Sequence, residues 1–288
     1  RPLYNKALQG LYPPGSTFKL ATTVIGLQSG AVTMQDKMPI PCTGGLQFGT
    51  RYFRCWDKRG HGFLNLHDAI AKSCDVYFYQ LGLKLGIERM LAGGVELHMN
   101  EKAGIDLPEE RKPRWPETTD YFDRRYGKNG WTKATVLNLA IGQGENSQTI
   151  LNMARFYTAL ATDGTAARPE IARLRPERTP LTSLTDAQLV EVRDALVGVV
   201  AGGTASASAI KGIALAGKTG TAQSGKFVNG KELNHAWFVG FAPADDPKIV
   251  VAVMIEFGGH GTRSAAIASK IIQAYLHITP LVDMTTEG

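Results

Sequence analysis

The chain has 288 residues, 43% of them hydrophobic and 20% charged, which is the composition of an ordinary globular protein with room for one large domain or two small ones. Its net charge of +6 suits an anionic surface, but the basic residues are scattered (Arg51, Arg54, Lys58, Arg59; Arg111, Lys112, Arg114; Arg124, Arg125, Lys128), as on a solvated face. Without a basic run interleaved with aromatics, nucleic acid is excluded as a partner. No apolar run reaches the roughly 18 residues of a membrane span, and no signal-peptide pattern opens the chain.

The first informative stretch is Tyr12-Pro13-Pro14-Gly15-Ser16-Thr17-Phe18-Lys19. Pro13, Pro14 and Gly15 forbid a helix there, whereas the apolar pattern after Ser16 predicts one over 16–29, stopped by Gly30. Helical spacing puts Ser16 and Lys19 on one face. A serine hydroxyl becomes a nucleophile when a neighbouring base takes its proton, and a lysine held neutral can do so. Taken alone, Ser-x-x-Lys also reads as a helix cap followed by a surface lysine.

Residues 31–66 read as irregular. A short amphipathic helix, 65–72, ends at Ser73-Cys74-Asp75, and a second helix runs from Val76 to about Leu91. Ser73 and Asp75 are therefore expected in a tight turn, where side chains can point into a cleft. Residues 92–133 read as loop-rich, with a turn at 104–108. Helices are expected from Thr135 to Gly142, from Asn152 to Asp163, and from Thr185 to Val200, the last opening on a capping sequence and broken by Gly202-Gly203-Thr204-Ala205. The pattern then changes to an extended run over 213–223 and two strands, 236–243 and 249–256, joined by a short hairpin-like connection. A helix from Arg263 to Tyr275 closes the pattern. The outline is α+β: a helix-rich first part and a late antiparallel sheet packed between helices, with a mostly helical subdomain.

Three signatures stand in one order: Ser16-Thr17-Phe18-Lys19, Ser73-Cys74-Asp75 and Lys218-Thr219-Gly220. This trio resembles the motif set of penicillin-binding proteins and serine β-lactamases. The chain is identified as similar to the transpeptidase domain of class B penicillin-binding proteins, the elongation-specific penicillin-binding protein 2 subfamily in particular. That similarity also rests on Arg1-Pro2-Leu3-Tyr4-Asn5-Lys6-Ala7, Gly60-His61-Gly62, Gly104-Ile105-Asp106-Leu107, Gly142-Gln143-Gly144 and Gly203-Thr204-Ala205. It implies a transpeptidase catalytic domain over 1–278, a flexible tail over 279–288, and a piece of a longer protein whose sheet lacks the usual strands upstream of the serine helix.

The resemblance implies a peptidoglycan D,D-transpeptidase that forms an acyl-enzyme on D-Ala-D-Ala stem peptides and is the target of β-lactams. Ser16 would attack, and Lys19 would take its proton, kept neutral by burial and by Lys218 nearby. Ser73 would relay a proton to the leaving amine. Lys218, Thr219 and Thr221 would grip the terminal carboxylate, and backbone N–H groups of Ser16 and Thr221 would form an oxyanion hole. At Gly220 a close approach of substrate to the backbone is expected. Asp75 stands where the family usually has Asn. An ionised Asp offers only acceptors, so it would bind substrate or pair with Lys19 or Lys218. A β-lactamase or a β-lactam sensor domain is the alternative; Glu145 and Glu109 are the available bases for deacylation, in no matching motif. The resemblance further implies a periplasmic domain anchored in the inner membrane by an N-terminal helix, working with a SEDS glycosyltransferase and elongation-complex scaffold proteins.

The three cysteines and one histidine follow the spacing Cys42-x12-Cys55-x5-His61-x12-Cys74. Three thiols and an imidazole make a tetrahedral set, although the spacing is not that of a zinc finger. Relatives with zinc at this place imply a structural Zn²⁺ tying 42–61 to the Ser73 turn, with no cofactor for catalysis. A Cys42–Cys55 disulfide with Cys74 as a core residue is the other reading. His67 and His98 read as surface helix residues, His235 as bordering the cleft, and His260 as structural or at its rim.

Overall fold

The computed structural model describes residues 4–172 and 177–278; residues 1–3 and the expected 279–288 tail lie outside them. Helix α1 (Lys6–Gln9) precedes a 3₁₀ turn, Gly15–Phe18, which runs straight into α2 (Lys19–Gln28). The expected helix over 16–29 is thus divided, and Ser16 sits on the tighter turn that the preceding Pro-Pro-Gly imposes. Strands β1 (Gly45–Phe48) and β2 (Arg51–Arg54) form a small antiparallel hairpin inside the segment read as irregular.

Helix α3 (Leu66–Ala71) is capped by Asn65, whose side chain accepts from the Asp68 amide. Helix α4 (Asp75–Glu96) begins one residue earlier than expected and is broken at Gly86, at φ +77° and ψ 165°. Glycine takes that conformation without the clash a Cβ would make. Helices α5 (Asp120–Tyr126), α6 (Thr135–Ala140) and α7 (Ile150–Ala161) follow, then the short pair β3 (Thr165–Ala167) and β4 (Arg178–Pro180). Helix α8 (Asp186–Ala201) opens on a capping box between Thr185 and Gln188.

The late sheet is antiparallel in the order β5 (Ala216–Val228), β6 (Lys231–Ala242), β7 (Ile249–Ile255), and α9 (Thr262–Tyr275) lies against β6 and β7. Strands β5 and β6 are longer than their sequence signal. They meet at Asn229-Gly230, where both residues have positive φ and Val228 pairs with Lys231, so the loop is a two-residue hairpin turn. Every residue of β6 from Ala236 to Ala242 is buried, which requires cover on both faces; α7, α8 and α9 pack on the sheet and supply it. The α+β reading is borne out. Among the described residues, 4–11 supply helix α1 and no strand of this sheet.

Candidate active site

The turn that carries Ser16 is fixed from several sides. Gly15 has φ +55°, and its N–H donates to the Gly142 carbonyl at 3.0 Å. The Thr17 hydroxyl donates to the Pro14 carbonyl at 2.8 Å, and the buried Tyr157 hydroxyl donates to the Thr17 carbonyl at 2.9 Å. Strand β5 lies directly alongside: a Cβ on Gly15 would come within 3.0 Å of the Thr221 carbonyl, and one on Gly220 within 3.0 Å of the Pro14 carbonyl. The space above Gly220, expected for substrate, is therefore filled by the lead-in to Ser16 itself. Gly217 is also required, because a Cβ there would meet the Phe238 ring at 2.3 Å.

Lys19 enters α2 fully buried. Its Nζ donates to the Ser73 carbonyl at 2.8 Å and to Asp75 Oδ1 at 2.7 Å, and approaches Ser73 Oγ at 3.3 Å. It also stands 5.4 Å above the Phe78 ring. Ser73 occupies the turn between α3 and α4 at φ +55°. Asp75 opens α4, so its carboxylate has the favourable end of the helix dipole as well as Lys19. Its second oxygen accepts the Trp56 backbone N–H at 2.9 Å, while the Trp56 indole N–H donates to the Lys72 carbonyl at 3.0 Å. Burial raises the Asp75 carboxyl above its usual range, and the Lys19 charge opposes the shift.

Lys218 is likewise fully buried, on β5, with its Nζ 3.3 Å from the Thr219 carbonyl. Desolvation drives its pKa well below that of a free lysine; the Lys19 charge adds to the shift and Asp75 counters it. Lys19, by contrast, has a carboxylate partner in Asp75. Thr219 is buried, with its hydroxyl 2.5 Å from that of Thr204, whereas Thr221 is exposed.

The structure brings Cys42, Cys55, His61 and Cys74 together, with their ligand atoms within 4.8 Å of one another. All three thiols are free and buried. His61 Nδ1 lies 3.5 Å from Cys42 Sγ and 3.6 Å from Cys55 Sγ. A tetrahedral zinc with bonds of about 2.3 Å to sulfur and about 2.0–2.1 Å to nitrogen has S···N edges of about 3.5–3.6 Å. The donor set and these two edges fit such an ion. The hydrogen bond between Cys55 and Cys74 holds the Cys55 thiol down and pushes Cys74 up; burial pushes Cys42 up.

Of the other histidines, His67 bridges Asp68 and Asp194, and His98 lies past the end of α4, bonded to Glu101. His235 is buried on β6 against Tyr12 and Phe257, with its pKa lowered by burial. Trp56, Gly142, Tyr157 and Thr204 had no role from sequence. Gly142 and Thr204 belong to Gly142-Gln143-Gly144 and Gly203-Thr204-Ala205; Trp56 and Tyr157 carry no sequence signal.

The profile of the penicillin-binding protein transpeptidase domain matches residues 1–273. The chain belongs to this family. It is 35% identical over 297 residues to the peptidoglycan D,D-transpeptidase MrdA of Acinetobacter baumannii, covering 96% of this chain and 44% of that protein. Identity to MrdA of Haemophilus influenzae is 33%, over 96% of this chain and 46% of that protein. The chain thus spans about half the length of the curated relatives it matches. Among solved structures, Helicobacter pylori PBP2 in complex with MreC superposes with a TM-score of 0.85 at 33% identity, over 96% of this chain and 51% of that one. Pseudomonas aeruginosa PBP2 in complex with WCK 5153 gives 0.85 at 34%, over 99% and 64%. The similarity to elongation-specific class B penicillin-binding proteins is borne out.

Proposed function

We propose that the chain is the catalytic domain of a peptidoglycan D,D-transpeptidase, acylated at Ser16 by D-Ala-D-Ala stem peptides and by β-lactams. The observation that carries this reading is the buried contact of Lys19 with Ser73 and Asp75, beside the Ser16 turn and the Lys218 strand. In the proposed reaction Ser16 Oγ attacks the penultimate D-Ala carbonyl, its proton passes to Lys19 acting as a free amine, and the peptide bond to the terminal D-Ala breaks as that nitrogen takes up a proton through Ser73. Lys19 opens the helix one turn on, and the Lys19–Ser73 contact supports Ser73 as the route to the leaving nitrogen. An acceptor amine then displaces the acyl group from Ser16. Thr219 and Thr221 are assigned to the terminal carboxylate, and the Ser16 and Thr221 amides to the oxyanion.

Asp75 is better read as the counter-ion of Lys19 than as a substrate ligand, since its two oxygens are held by Lys19 and Trp56. For a β-lactamase, deacylation would need a carboxylate free to activate water. Glu145 accepts from the Tyr126 hydroxyl and Glu109 from Gln9, and neither stands in a motif that matches a deacylating base. We further assign Cys42, Cys55, His61 and Cys74 to a structural Zn²⁺. Bound there, the ion would cross-link the 42–61 segment to the Ser73 turn and take no part in the chemistry.

Among the described residues no helix is long and apolar enough to cross a membrane. A full-length protein on the pattern of the relatives would be anchored by an N-terminal helix at the periplasmic face of the inner membrane. Its partners would be a SEDS glycosyltransferase and scaffold proteins, as MreC is for the Helicobacter protein and as the superposed peptidoglycan synthase complex suggests. Intact mass after incubation with benzylpenicillin tests the core of this reading. One covalent adduct is expected, slow to hydrolyse and lost in Ser16→Ala; no adduct, or one that persists in Ser16→Ala, overturns it. Zinc analysis that finds no metal, with Cys42 and Cys55 oxidised, overturns the metal assignment.

A further inference from the structure

The loop after α8 joins the second motif to the third. Gly203 packs where no side chain fits: a Cβ would stand 2.4 Å from the Ala71 carbonyl and 2.8 Å from Val199 Cα. Ala71 ends α3, two residues before Ser73. The Ala205 N–H donates to the Val199 carbonyl at 3.0 Å, so the loop is held on its other side by α8. Between these two anchors Thr204 Oγ1 reaches Thr219 Oγ1 at 2.5 Å.

We propose that Thr204 is a positioning residue for carboxylate recognition: it donates its hydroxyl hydrogen to Thr219 Oγ1 and leaves the Thr219 O–H free to donate to an anion in the cleft. The proposal rests on the transpeptidase reading, in which Thr219 meets the terminal carboxylate. A hydroxyl has one hydrogen and two lone pairs. Were Thr219 to spend its hydrogen on Thr204, its oxygen would turn lone pairs toward the carboxylate and repel it. With Thr204 as donor, the two hydroxyls run head to tail, and each O–H polarises the next. Thr219 is 8% exposed, so water has little room to supply the missing donor. The ligand class is the free carboxylate common to D-Ala-terminated peptides and penicillins. Thr204 acts on it only through Thr219.

The test compares benzylpenicillin, which carries the carboxylate, with its neutral methyl ester. Thr204→Val removes the hydroxyl at nearly constant volume. Second-order acylation of Ser16 by the acid is expected to fall about tenfold, near the lower end for a hydrogen bond to a charged group. The loss should sit in the non-covalent binding constant rather than in the acylation step. The ester should be acylated equally by both proteins, Thr204→Ser should restore the acid, and Thr204→Val should add nothing in a Thr219→Val background. Equal losses on acid and ester, no loss on either, failure of serine to rescue, or an added loss in that background overturns the proposal. Should the valine variant not fold, Thr204→Ala carries the same comparison. Absence of any adduct on the unmodified chain is a failure of the transpeptidase reading; an adduct without the acid-to-ester difference is a failure of this inference alone.

Discussion

Gly142→Ala tests how tightly the loop after α6 controls the nucleophile. Gly142 has φ +74°, where a side chain costs about 1–2 kcal/mol. Its new Cβ would sit 2.2 Å from the Gly15 carbonyl oxygen and 2.7 Å from Phe18 Cβ. The opposing atom is backbone, so no rotamer change relieves the clash, and overpacking of this kind costs about 1–3 kcal/mol. The total of about 2–5 kcal/mol is a large share of the roughly 5–15 kcal/mol that holds a domain folded. Relaxation would also displace the turn that carries Ser16, and a 1 Å displacement of a reacting group costs about a hundredfold in rate. Gly144→Ala is the control: φ is +72°, but its Cβ would only touch Asn138 Cβ at 3.4 Å. Urea unfolding and the rate of acylation by benzylpenicillin, measured on both variants, separate backbone strain from clash. Equal small losses in the two proteins, with acylation unchanged, would refute the reasoning.

Asp75→Ala strands a fully buried Lys19 and the Trp56 N–H, and should destabilise by about 3–5 kcal/mol in denaturant titration. Lys218→Met should be stabilising at neutral pH. Because the folded-state pKa of Lys218 lies below its unfolded value, the unfolded chain binds the extra proton between the two, so wild-type stability rises with pH through that window. The gain from methionine should accordingly shrink as pH approaches the ordinary lysine range near about 10.4, and a gain independent of pH would count against a depressed pKa. Metal analysis should find one zinc per chain, and chelation should lower the thermal midpoint of the wild type but not of Cys42→Ser.

The three motifs were legible because each places its chemistry within a few neighbouring residues. What sequence could not show is which distant segments fill the space around them. Gly220 looked like room for substrate and is instead where Pro14 crosses; Gly142 is a contact for Gly15, more than a hundred residues earlier in the chain. The two lysines could not be told apart by spacing, since what separates them is the Asp75 carboxylate that pairs with Lys19. The Asn229-Gly230 turn carries β5 and β6 beyond their apolar segments into exposed and half-buried, mostly polar residues, where the strand pattern is weak. The cysteine set was visible as ligand types, but only the fold closes it to within 4.8 Å.

Ser73 sits at φ +55°, a left-handed backbone that few residues other than glycine adopt. Glycine there would relax the chain yet carry no hydroxyl, so the fold keeps a conformationally awkward residue where proton traffic is proposed to need it. Ser73→Gly should therefore outlast Ser73→Ala in thermal unfolding while both remain equally inert, and the tension between a durable protein and a working one is concentrated at a single peptide unit.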